Sequence, residues 1–132
     1  MKRSFMISIA ALAALLFASS CESNNDRVRR EVGETLEAVT PAKILNDAND
    51  LDARLGASEE LSIPLDTLPA SFAVFNPVEV RRHYPGSYFI TTAMWNQHRT
   101  GLWIAAPTEV IPTSTKYVTY KKLADRLYLH QN

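Results

Sequence analysis

Apolar positions recur along this chain at two different spacings, and the change from one to the other divides it. Val28, Val32, Leu36 and Val39 fall on one side of a helix, and so do Ile44, Ala48, Leu51 and Leu55. The spacing predicts helices over about 27–39 and 41–55. Asn25 or Asp26 suits the first cap, although Gly33 weakens the helix interior. Thr40 suits the second cap, Pro41 the first helical position, and Gly56 the place just past the end. Beyond Asn76-Pro77 the period becomes two. Val78-Glu79-Val80-Arg81 alternates as a half-buried strand does, and Tyr84-Pro85-Gly86-Ser87 carries Pro and Gly at the central positions of a type II turn. Tyr88 to Met94, Leu102 to Ala106, Lys116 to Leu123 and Arg126 to His130 read as further strands, with Trp95 to Gly101 as a polar loop. Short connections favour antiparallel neighbours. The expected fold is α+β: one or two N-terminal helices (27–58) packed on a four- to five-stranded antiparallel meander (78–130), together a single domain over 27–132.

The first residues have a different character. Lys2 and Arg3 precede an uninterrupted run from Phe5 to Ala18 whose only polar member is Ser8. Small residues follow, and then Cys21. This is the order of a secretory signal peptide over residues 1–20, and the run is shorter than the roughly 20 residues a membrane-spanning helix needs. Phe17-Ala18-Ser19-Ser20-Cys21 resembles the lipobox of bacterial lipoproteins, with Ala18 where that family favours Leu. The resemblance implies a leader cut before Cys21, a diacylated Cys21 sulfur and an acylated new amino group, with residues 21–26 as a lipidated tether. Several acyl chains on one residue give stable anchoring where one gives only marginal binding. Glu22, where an inner-membrane retention signal would have Asp, implies the outer membrane facing the periplasm. An ordinary signal peptidase cutting after Ala18-x-Ser20 would instead release a soluble periplasmic or secreted protein.

Composition separates the halves again. Residues 21–66 hold 11 acidic and 5 basic side chains and no aromatic, whereas residues 67–132 hold 3 acidic, 7 basic and ten aromatic ones. Aromatic rings supply much of a small domain's buried area, so the core is expected in the second half, with the N-terminal half either leaning on it or staying loose. Residues 60–132 are then expected to keep β structure alone. The balance of 14 basic against 14 acidic groups in the whole chain gives no electrostatic reason to bind nucleic acid. A single cysteine excludes an internal disulfide. Leu68-Pro69, Val78-x-Val80, Tyr88-x-Ile90, Gly101-Leu102-x-Ile104 and Leu127-Tyr128 also resemble small envelope lipoproteins of unassigned function, a likeness that carries no functional residues.

Chemistry is sparse. No serine has the Gly-x-Ser-x-Gly setting of a hydrolase elbow, and no glycine-rich loop is present to cradle a phosphate. His83, His98 and His130 do not share a helix face, and the acids around Asp47, Asp50 and Asp52 lack the Gly and distal Glu of a calcium loop, so they read as a solvated helix face. No catalytic residue, metal site or cofactor is expected. Trp95, His98 and Arg99 are the candidate partner-binding residues, because Trp and Arg are frequent interface anchors. The favoured reading of that stretch is plainer: Trp95 folds back onto the core and the rest is an ordinary polar loop. Arg81, Arg82, Lys121, Lys122 and Arg126 either complement the acidic helices and aid solubility or form a basic patch toward an anionic partner such as lipid headgroups or cell-envelope polymer. The expected function is a non-catalytic envelope lipoprotein that binds another protein. A periplasmic inhibitor or immunity-type protein is the alternative, and a small enzyme is less favoured.

Overall fold

The computed structural model describes residues 22–57 and 60–132, so the expected signal peptide and Cys21 lie outside the described residues. Helix α1 runs Asn24–Ala38 and helix α2 Pro41–Leu55. A short strand β1 (Leu61–Ser62), a 3-10 turn (Leu65–Thr67) and a one-turn helix α3 (Ala70–Ala73) lead into the main sheet. That sheet adds β2 (Glu79–Tyr84), β3 (Ser87–Trp95), β4 (His98–Ile104), β5 (Thr119–Ala124) and β6 (Leu127–Gln131).

Helix α1 begins three residues earlier than the spacing predicts. The cap is Ser23, whose Oγ accepts from the Asp26 N–H at 3.1 Å, and not Asn25 or Asp26. The expected tether over 21–26 is therefore taken up into the helix from Asn24 onward. Helix α2 has the expected Thr40 cap, Pro41 start and Gly56 end.

The sheet has six antiparallel strands in the order β1-β2-β3-β4-β6-β5. Two features differ from the expected meander. Leu61–Ser62 adds a sixth strand, paired with Arg81 and Arg82. After β4 the chain does not turn straight back. Residues 105–118 carry it to the far edge, where β5 forms, and β6 returns between β5 and β4. A connection of that length is free of the short-loop rule that makes consecutive strands neighbours. The edge strand carries the exposed Lys121 and Lys122, which discourage edge-to-edge pairing.

Between β3 and β4 the expected loop is a tight hairpin. Trp95 pairs with His98, and Asn96 takes a positive φ of 53°, which Asn tolerates better than most residues. His98 to Gly101 are strand, not loop. Next to a bulge on β3 between Thr91 and Ala93 the backbones lie close: a Cβ added to Gly101 would run into the Ile90 carbonyl oxygen. Backbone cannot swing aside as a side chain can. Gly101→Ala should therefore cost about 2–3 kcal/mol of stability, read by urea unfolding.

One face of the sheet meets the helices. Val80, Tyr88, Ile90, Leu102, Ile104, Leu127 and Leu129 form a single buried cluster with Val28, Val32, Ile44, Ala48 and Leu51 from α1 and α2. The expectation that aromatics build the core is corrected. Only Phe72, Phe75 and Tyr88 lie in this cluster, and its bulk is aliphatic. Phe89, Trp103, Tyr120 and Tyr128 alternate to the opposite face, where Trp103 is covered by its own neighbours.

Two of the acids on α2 point inward, against the reading of a solvated face. Asp47 is buried and accepts from Ser71 Oγ at 2.6 Å and Lys43 Nζ at 3.0 Å. Burial pushes its pKa up, but these hydrogen bonds outweigh it and hold the carboxyl below its ordinary value. Asp52 accepts from the hydroxyl of Tyr88 and from Arg82 Nη1 at 3.4 Å. Arg82 and Tyr88 are both fully buried, so this contact pins α2 to β2 and β3.

Candidate functional site

The sheet face away from the helices is built by the pleat. Alternation puts Glu79, Arg81 and His83 of β2 on it, beside Phe89 and Thr91 of β3. Register then adds Gly101 and Trp103 of β4, followed by His130 and Tyr128 of β6. Gly101 stands between Thr91 and His130 and contributes no side chain, which leaves that row shallow. An open groove of about 240 Å³ lies on this face, lined by Glu60, Glu79, Arg81, Phe89, Arg99 and His130 among others.

Charge alternates along one wall of the groove. Arg81 reaches Glu60 at 2.7 Å and Glu79 at 3.7 Å, and Arg99 Nε reaches Glu79 Oε2 at 3.3 Å. The Arg81 and Arg99 side chains keep 40% and 48% of their exposure. Pairs this exposed add at most about 1 kcal/mol each to stability. Their larger effect is to hold two guanidinium groups in place at the groove edge, still open to a further partner. The other wall is aromatic. Phe89 stacks on Trp103 with centroids 5.4 Å apart and planes 3° from parallel, while His130 meets the Phe89 edge at 5.3 Å and His83 at 6.2 Å. The Trp103 indole N–H donates to Ser87 Oγ at 3.2 Å, which fixes the ring.

His130 is a half-buried titratable group of this surface. Burial lowers its pKa below 6.5, only partly offset by a hydrogen bond with the Arg99 backbone. The imidazole is therefore neutral near pH 7. A folded-state pKa below the unfolded one means that stability is held above about 6.5 and lost as the pH falls through the folded value. Wild-type protein should lose melting temperature between pH 7 and pH 5, and His130→Phe should flatten that part of the profile.

The three residues singled out in the sequence are not one cluster. Arg99 belongs to the groove. Trp95 and His98 face each other across the tip of the β3–β4 hairpin, their ring centroids 6.3 Å apart. Among the described residues Trp95 is not part of the core cluster, which corrects the expectation that it folds back onto the core. The five basic residues do not form a patch either. Arg82 is buried, and Arg126 donates to the carbonyls of Ala105 at 2.7 Å and Gly86 at 3.4 Å. Arg81 lines the groove, and Lys121 and Lys122 sit on the edge strand. Glu79 and Phe89 were not singled out as binding residues in the sequence. Their signal is parity: the Pro85-Gly86 turn sets Arg81 opposite Phe89 and Glu79 opposite Thr91, all on one face.

Among the described residues no three His, Cys, Asp or Glu side chains are grouped as a metal ion would require, and no helix is long and apolar enough to cross a membrane. No protein family, curated protein or solved structure matches this chain.

Proposed function

We propose that this protein is an exported lipoprotein of the bacterial envelope, held at the membrane by acylated Cys21, and that it acts as a non-catalytic binding module through the open face of its sheet. The observation that supports this reading best is that face itself. It joins two half-exposed arginines, held by carboxylates, to a fixed aromatic row. Arginine and aromatic side chains are the residue types that dominate protein–protein interfaces, and a rigid row loses little entropy on binding. The placement of Cys21 directly after small residues supports the anchor, and anchoring gives the module an envelope protein as its natural partner class.

The test compares wild-type protein with an Arg81→Glu/Arg99→Glu variant in capture from detergent-solubilised envelope. A protein retained by the wild type and lost by the variant, at equal melting temperature, supports the reading. Partners held equally by both would contradict it. A secreted hydrolase or toxin as the captured protein would favour an inhibitor over an accessory role.

A further inference from the structure

We propose that the end of the domain where α1 begins seats on the surface of an anionic lipid bilayer, a docking that rests on the anchor at Cys21 proposed above. The linker geometry comes first. Only Glu22 and Ser23 separate Cys21 from the helix start at Asn24, so the fold begins within about 11 Å of the acylated residue. Glu22 is itself tied down, its two carboxylate oxygens each 3.0 Å from the Arg30 guanidinium. A domain on so short a leash must bring the surface around that point to the membrane.

That surface can be named from the register. The first turn of α1 is fastened to the last residue of β6: Gln131 Nε2 donates to the Asn25 carbonyl at 3.0 Å, and Arg29 Nη2 donates to Gln131 Oε1 at 3.2 Å. Gln131 lies opposite Thr100 and Thr119, so the β3–β4 hairpin tip and the turn before β5 are at the same end of the sheet. The hairpin tip carries Trp95, with Met94 beside it 47% exposed. The turn carries Tyr117, which is 72% exposed, with the Lys116 ammonium 4.9 Å above its ring. Trp and Tyr are the residues that settle at the headgroup level of a bilayer.

Charge gives an independent argument. A helix is stabilised by acids in its first turns and bases in its last, because its dipole is positive at the N-terminus. Helix α1 is arranged the other way. Its first half holds Arg27, Arg29 and Arg30 against Asp26, its second half holds Glu31, Glu34 and Glu37, and its last turn has no basic residue. This order works against the helix. It does place Arg27, Arg29 and Arg30 at the anchored end against Glu22 and Asp26. Arg30 is taken up by Glu22, which leaves an excess of one positive charge there, joined by Lys116 at the neighbouring turn, for an anionic membrane surface to attract. Seated this way, the open face of the sheet stands sideways to the bilayer. The Tyr84–Ser87 and Ala124–Leu127 turns then point away from it.

The test uses the mature protein purified from its host membrane with Trp103→Phe, which leaves Trp95 as the sole tryptophan. It is reconstituted into vesicles of phosphatidylcholine, with or without phosphatidylglycerol, carrying brominated acyl chains. Trp95 emission should be quenched, more strongly in the anionic vesicles, and Arg27→Glu/Lys116→Glu should abolish the anionic excess without changing the melting temperature. An acylated protein whose Trp95 stays unquenched in both vesicles overturns the docking and leaves the anchor standing. The same holds if Trp95 becomes shielded only as protein concentration rises, which would make this end a contact between copies. A purified protein with no acyl mass at Cys21 overturns the anchor, and the docking with it.

Discussion

Residues 60–132, produced without the two long helices, should show no cooperative unfolding transition. Five of the fifteen buried members of the core cluster, Val28, Val32, Ile44, Ala48 and Leu51, come from α1 and α2. Their removal strips the cover from Val80, Tyr88, Ile90, Leu102, Ile104, Leu127 and Leu129, a whole apolar sheet face. A sheet needs such a face packed to be stable by itself. The aromatic row on the other side offers no substitute, because it packs within its own face rather than against the exposed one. The expectation from composition alone is the reverse, since all ten aromatics of residues 21–132 lie after residue 66. Circular dichroism with urea decides the matter. A sigmoidal transition for residues 60–132 would show that the helices only decorate a sheet that folds by itself.

The second large effect is expected at Asp52. Asp52→Ala should cost about 3 kcal/mol, against a change within about 0.5 kcal/mol for Asp50→Ala on the exposed side of the same helix. Asp52 accepts hydrogen bonds from the buried Tyr88 hydroxyl and the buried Arg82 guanidinium, so its loss removes a partner from each at once. The lower end of the usual range for breaking a buried pair applies, because the Asp52 side chain keeps 23% of its exposure. Asp52→Asn should be milder, since it keeps an acceptor for Tyr88. Burial, then the Asp52 carboxylate, raise the Tyr88 pKa well above 10. That sign means the unfolded chain loses its tyrosine proton first, so stability falls as the pH rises past about 10. Urea unfolding at pH 7 and pH 11 measures both effects. Equal stability of the Asp50→Ala and Asp52→Ala variants would contradict this role for Asp52.

The helices were legible because their signals are local. Thr40-Pro41 and Gly56 mark α2 at both ends, and the stripes at Val28–Val32 and Ile44–Leu51 are the faces that become buried. Chain order also gives the β2–β3 hairpin, since Pro85-Gly86 allows few other geometries; Gly86 takes the positive φ of 89° that a type II turn requires. Strand order past β4 was not legible. Nothing local in residues 105–118 tells the chain to cross to the far edge, and inserting β6 beside β4 rests on packing that only the assembled sheet provides. The hairpin at Asn96-Gln97 was hidden because it uses no glycine, and Asn96 bears the positive φ instead. The groove depends on three pairings at once, β2 with β3, β3 with β4 and β4 with β6, so its walls cannot be assembled from any single stretch. Asp47 and Asp52 look like surface acids until Ser71, Arg82 and Tyr88 are brought to them from other elements.

The proposed membrane anchor and the proposed envelope partner of the groove both rest on Cys21. The most direct measurement is the intact mass and N-terminal peptide mass of the protein purified from the membranes of its producing cells. The expected result is a chain beginning at Cys21 with the added mass of two or three acyl chains, which disappears from the membrane fraction in Cys21→Ser. A soluble protein that begins at Cys21 with a free thiol, or an uncleaved chain that still carries residues 1–20, would contradict it.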